Sequence, residues 1–144
     1  MSEENARQFI QEMQAMEAYF NNLAQRENAL ISVLREATAA IDSINALKEK
    51  PDSETLVPVG LGSYVQSKIS SKDTVFLSIG AGIALEKDSD SAVNYLEARI
   101  KEIQVAVQDT SAKKQEIAAR LEQGKAQLNQ LMQAGAPRPG PGNV

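Results

Sequence analysis

At 144 residues the chain is long enough for one ordinary domain, but about a third of its 42% apolar content is alanine, with 4% aromatics and no Trp. The absence of His and Cys excludes a His-based triad, a thiolate nucleophile, an ordinary zinc site and a disulfide framework. A net charge of −4 without clustered Lys/Arg argues against nucleic acid as partner, and no run approaches 18 apolar residues, so no membrane span is expected.

The chain opens on "MSEENARQFI", acidic and polar, which is not the pattern of a secretory signal and is compatible with a cytoplasmic protein. Residues 1–50 then read as one helix. Phe9, Met13, Met16, Phe20, Leu23, Glu27, Leu30, Leu34, Ala37, Ile41, Ile44 and Lys48 recur every three or four residues, the seam of a coiled coil. "ALKEK" supplies a basic end suited to a helix C-terminus, and Pro51 follows it.

Residues 51–88 change character. "TLVPV", "SYVQSKI", "TVFLSI" and "IALEK" are rich in Val, Ile, Thr, Phe and Tyr and are separated by "GLG", "SSKD" and "GAG". This predicts two β-hairpins, with glycine at the positive-φ turn positions. "GLG" and "GAG" lack the remainder of a phosphate-binding loop and read as plain turns. Val75, Leu77 and Ile79 share one face by period two. Four short strands cannot close a barrel, and a helical hairpin attached at one end cannot cover both faces. Open edges and an uncovered face invite pairing with other chains. The insert is thus an assembly module, with Val57, Val59, Val65, Ile69, Val75, Leu77 and Ile79 as its candidate contacts.

"DSDS" offers N-cap side chains for a second helix over 89–134. Its seam is Val93, Leu96, Ile100, Ile103, Val107, Thr110, Lys114, Ile117, Leu121, Gly124, Leu128 and Leu131. Laid antiparallel on the first seam, facing residue numbers add to 140 or 141 throughout. Phe9 then faces Leu131, Met16 faces Gly124 and Glu27 faces Lys114. A slip of one heptad would strand both charges against leucines, at roughly a few kcal/mol each. Glu27 and Lys114 are therefore the candidate register pair. Residues 135–144, "GAPRPGPGNV", read as a disordered Pro/Gly tail.

A coiled-coil hairpin with two β-hairpins between its arms resembles the alpha class of the archaeal prefoldin family. The residues that carry the resemblance are "LVPVGLGSYV" (56–65), "VFLSIGAGIALEK" (75–87) and the flanking heptads; only the tail falls outside it. The family's beta class has one hairpin, so two hairpins point to the alpha class. The resemblance implies a mainly α fold, an antiparallel two-helix coiled coil whose two central hairpins join an intersubunit β-barrel. It implies a heterohexamer of two alpha and four beta subunits, working without nucleotide or other cofactor. Its tips would hold unfolded client proteins and pass them to a group II chaperonin. The proline-rich end departs from the charged helical tails expected of many members.

The register places both chain ends at one free end of the coil. Phe9, Ile10, Met13, Met16, Leu128, Leu131 and Met132 gather there and are the candidate client-binding residues. A coiled-coil end frays, and Met-containing apolar surface repacks around varied partners. Taken singly, Phe9, Met13 and Leu131 are simply the last seam layers; Ile10 and Met132 lie off the seam and favour a binding role. The other reading is an oligomeric tether with no general client binding. Neither reading is enzymatic.

Overall fold

The computed structural model describes residues 2–70 and 74–135. The element order is α1 (Glu3–Glu49), β1 (Glu54–Gly60), β2 (Ser63–Lys68), β3 (Val75–Gly80), β4 (Ile83–Lys87) and α2 (Ser89–Gly135). The predicted "SSKD" turn falls mostly outside the described residues, and so does all of the predicted tail beyond Gly135.

Each helix is bounded by the chemistry of its flanks. Ser2 Oγ accepts the Asn5 N–H at 3.3 Å, and Glu3 and Glu4 place negative charge on the first turn of α1. Pro51 closes the other end, since the residue before proline is pushed out of the helical region. Asp52, with φ at 63°, turns the chain, and its N–H donates to the Ile69 carbonyl at 3.1 Å. That bond ties the entry of the first hairpin to its exit. At the start of α2, Asp88 Oδ1 accepts the Ser91 N–H at 2.7 Å.

Asp88 is a cap whose strength depends on its charge. The Ser91 backbone N–H, then its side chain, hold the Asp88 carboxyl below the ordinary 3.8. A carboxylate so lowered contributes stability above its unfolded value, and loses it as pH falls through the folded one. Asp88→Asn keeps a capping oxygen without the titration. The melting temperature of the variant is therefore expected to change less below pH 4 than that of the parent. Parallel melting curves from pH 2 to 7 test this, and equal acid sensitivity would exclude Asp88 as a contributor.

The two hairpins share one plan. β1 pairs antiparallel with β2, and β3 with β4, and among the described residues no ladder joins the two sheets. Each turn carries two successive positive-φ residues, Leu61 (47°) with Gly62 (74°) and Ala81 (53°) with Gly82 (72°). This is the two-residue turn whose twist matches that of antiparallel strands. Leu61 and Ala81 occupy a conformation that costs a non-glycine residue about 1–2 kcal/mol. Both first strands also shift register at the same place, between Pro58 and Gly60 and between Ser78 and Gly80.

The chain divides into two compact units, one of residues 1–29 with those from 107 on, the other of residues 30–106. In the second unit, Leu77 (9% exposed) packs with Ile44 and Ala92, flanked by Val75, Val93, Tyr95 and Leu96. One face of the β3–β4 hairpin is thus seated on the helix ends that lead into and out of the strands. Lys48 and Asp90 pair across those ends, each favourably placed on its helix dipole. In the first unit, Met13, Leu23, Ile117 and Leu121 are buried together, with Phe9, Met16 and Phe20 packed on them. Of the two predicted seams, every residue is buried or half-buried except Lys48 and Leu131.

One seam detail differs from the sequence reading. Met13, rather than Met16, fills the space over Gly124: a Cβ there would lie 2.7 Å from Met13 Cε. An unbranched thioether reaches into the gap a missing side chain leaves. Met16, half-buried, packs against the cluster to which Met13 belongs.

Candidate functional site

Two surfaces carry apolar side chains that the chain's own packing leaves open. The first lies where the start of α1 meets the end of α2. Ala6, Phe9, Ile10, Leu128, Leu131, Met132 and Ala134 line one groove of about 590 Å³. A second groove, about 390 Å³, has Phe9, Gln127, Gln130, Leu131 and Ala134 on its walls. Ile10 is 41% exposed, Leu131 38% and Met132 67%. Ile10, Leu131 and Met132 thus leave three large apolar side chains open to water at the helix ends.

Of the seven predicted client residues, the groove gathers Phe9, Ile10, Leu128, Leu131 and Met132. Met13 is buried in the adjoining cluster instead, and Met16, half-buried, packs against that cluster as Phe9 also does. The sequence reading missed Ala6 and Ala134. Their small side chains give no apolar signal, yet at the helix ends they leave the groove its width.

Glu27 and Lys114 stand deeper in the same unit. Lys114 Nζ donates to Glu27 Oε1 at 2.9 Å, with side chains 27% and 16% exposed for Lys114 and Glu27. The second carboxylate oxygen, Oε2, is buried with no hydrogen-bond partner. Thr110 is buried as well, at 4% exposure. The apolar seam of this unit is thus interrupted by polar groups at Glu27, Lys114 and Thr110.

The hairpins present the second surface. Val57, Val59, Val65 and Ile79, all predicted contacts, are exposed. Val75, Leu77 and Ile69 are not free in the same way: Leu77 is buried, and the other two are half-buried. The face that Val75 and Leu77 share is turned onto the chain's own helix ends. The residues that replace them at the surface are Leu56 (62% exposed) and Phe76 (68%), with Tyr64, Ile83 and Leu85. Leu56, Tyr64 and Phe76 lie on the faces opposite Val57 and Leu77, whereas Leu85, paired with Leu77, shares its face and stays 40% exposed.

Among the described residues no His/Cys/Asp/Glu group could hold a metal ion, and no helix is long and apolar enough to cross a membrane.

A family model for prefoldin subunits matches residues 6–134. The chain belongs to the prefoldin family. It is 63% identical to the prefoldin subunit alpha of Nitrosopumilus maritimus over 134 residues, 93% of this chain and 92% of that one. The prefoldin subunit alpha of Methanospirillum hungatei is 31% identical, over 92% of this chain and 95% of the relative. A filamentous PFD from Methanocaldococcus jannaschii, solved by cryo-electron microscopy, aligns with TM-score 0.55 and 26% identity, over 87% of this chain and 98% of that one. The crystal structure of the prefoldin beta subunit from Thermococcus strain KS-1 shares the fold (TM-score 0.62, 16% identity, 92% and 95% covered). Two long helices with two small antiparallel hairpins are thus the prefoldin fold, and the chain is a prefoldin chaperone subunit.

Proposed function

We propose that this chain is an alpha-class prefoldin subunit acting as an ATP-independent holdase in the cytoplasm. Its hairpins complete β-barrels in a heterohexamer of two alpha and four beta subunits. Its helix ends hold unfolded proteins and pass them to a group II chaperonin. The observation that carries the capture step is the groove of Phe9, Ile10, Leu128, Leu131 and Met132, apolar and open to water. A holder of unrelated clients needs apolar contact without shape specificity, and Met132 beside Leu131 supplies an adaptable surface of that kind. Release then requires no nucleotide, because each contact is weak and apolar.

Deleting residues 1–16 together with 125–144 removes the groove from both arms and leaves the hairpins intact. The trimmed chain is expected to assemble with beta subunits and to lose part of its suppression of client aggregation. Beta-subunit tips account for the remainder, so the stricter experiment trims those as well. Light scattering from a diluted, denatured client reports the result. A fully trimmed hexamer that suppresses aggregation as well as the intact one would remove the groove as client site and favour a tether.

A further inference from the structure

We propose that Met132 is a modification site. Oxidation of its thioether to the sulfoxide, by an oxidant of the hydroperoxide class, weakens the groove's hold on apolar segments. This rests on the client-capture reading above and adds a chemical control to it.

Few atoms of the chain can take part in such chemistry. It has no Cys and no Trp, but four Met. With no thiol of its own to react first, the chain meets a peroxide through its thioethers. Three of the methionines lie among the described residues, and they differ widely in access. Met132 is 67% exposed and lines the groove. Met13 is 9% exposed, with its sulfur and terminal methyl packed over Gly124. Met16 is half-buried against the same cluster. Oxidation requires the sulfur lone pair to reach a peroxide oxygen, so access ranks the three and places Met132 first.

The step is an oxygen-atom transfer. The Met132 sulfur forms a bond to one peroxide oxygen as the O–O bond breaks. Sulfur loses two electrons and the peroxide gains them. The departing hydroxide or alkoxide takes the proton from the transferred oxygen and leaves as water or an alcohol.

The effect on binding follows from the walls of the groove. Ala6, Phe9, Ile10, Leu128, Leu131 and Ala134 surround Met132, and none of them has a polar side chain. In the free chain the sulfoxide oxygen accepts hydrogen bonds from water. Beneath a bound apolar segment it loses that water and finds no side-chain donor in exchange. Burying an acceptor without a partner opposes binding. The fold is little affected, because Met132 is exposed in the last turn of α2. Reversal needs a sulfoxide reductase, one enzyme for each sulfoxide epimer. Two thiols then become a disulfide, and the oxygen leaves as water.

The test uses the full chain and dilute hydrogen peroxide, removed with catalase before any client is added. Peptide mass spectrometry follows each methionine with time. Met132 is expected to oxidise at least about fivefold faster than Met13. The binding probe is reduced, carboxymethylated α-lactalbumin, which stays unfolded. Once Met132 is converted, the chain is expected to bind it about threefold more weakly or worse. Reductases for both epimers, with dithiothreitol, should restore the untreated affinity. Met132→Gln, a permanent polar stand-in, should bind like the oxidised parent. Met132→Leu, whatever its starting affinity, should be unchanged by peroxide. Equal oxidation rates at Met132 and Met13 overturn the proposal. So does unaltered binding after complete conversion, or an equal loss in Met132→Leu. Those results leave the groove as client site, whereas an untreated chain that does not bind the probe removes the groove reading and this proposal together.

Discussion

Leu77→Ala is expected to lower the unfolding free energy of the isolated chain by about 2–4 kcal/mol, while Phe76→Ser changes it by less than about 0.5 kcal/mol. The two residues are neighbours in β3 and point to opposite faces. Leu77 is 9% exposed against Ile44 and Ala92, so truncation loses both transfer free energy and packing. Phe76 is 68% exposed and touches little in its own chain. Assembly should rank them the other way. Burying a Phe at a subunit joint is worth roughly 1.5–3 kcal/mol, and each hexamer would contain two such sites. Phe76→Ser is thus expected to leave the urea midpoint of the free chain unchanged and to deplete the hexamer in native mass spectrometry with beta subunits. Adding Leu56→Ser, 62% exposed on the other hairpin, should deplete it further. A Leu77→Ala chain as stable as the parent would mean that this hairpin is not anchored on the helix ends. A full-strength hexamer from the Leu56→Ser, Phe76→Ser chain would remove that face from the joint.

The contrast between Leu77 and Phe76 also marks how far sequence reasoning reaches. Helices, strands and turns were legible because each follows from local chemistry: a three/four apolar period, β-branched runs, and glycine at positive φ. The seam residues were legible for a further reason. A coiled coil repeats one contact many times, so a single register argument marks all of them as seam positions, although it set Met16 rather than Met13 over Gly124. No such repetition exists for the hairpins. "LVPVG" and "FLSIG" alternate in the same way and end in the same turn, yet only the second has a covered face. Which face is covered depends on how the strands leave α1 and enter α2, a matter of Asp52 at φ 63° and of contacts with Ala92 and Tyr95. Alternation contains none of that. The groove was half legible for the same reason: Ile10 and Met132 advertise themselves by being apolar off the seam, whereas Ala6 and Ala134 matter by being small.

Glu27→Lys is expected to destabilise the chain by about 1–3 kcal/mol, and adding Lys114→Glu should recover much of the loss. Removing one partner of a fully buried pair costs about 3–5 kcal/mol, because the other charge is left desolvated and alone. Here Glu27 and Lys114 keep 16% and 27% of their side-chain exposure, so water screens part of the penalty. The reversed variant is worse than a simple deletion in one respect, since two ammonium groups then meet where one 2.9 Å contact stood. The doubly reversed chain restores opposite charges but not the original surroundings. Glu27 Oε2 already lacks a partner on its own side of the seam, and a carboxylate at position 114 would meet a different set of neighbours. Recovery short of complete is therefore expected, with a coupling energy of roughly 1–2 kcal/mol from the four-variant thermodynamic cycle. The coupling should change little between 0.05 and 0.5 M salt, because a part-buried pair is less screened than a surface one. Thermal melts of the four variants at both salt concentrations measure all of this. The same cycle tests the alignment of the two arms, because a shift of one heptad would take Lys114 out of reach of Glu27. A double variant no more stable than either single variant would mean that the two charges do not meet in solution. The arms of this unit would then be held in register by the packing of Met13 over Gly124 and of Leu23 with Ile117 and Leu121 alone.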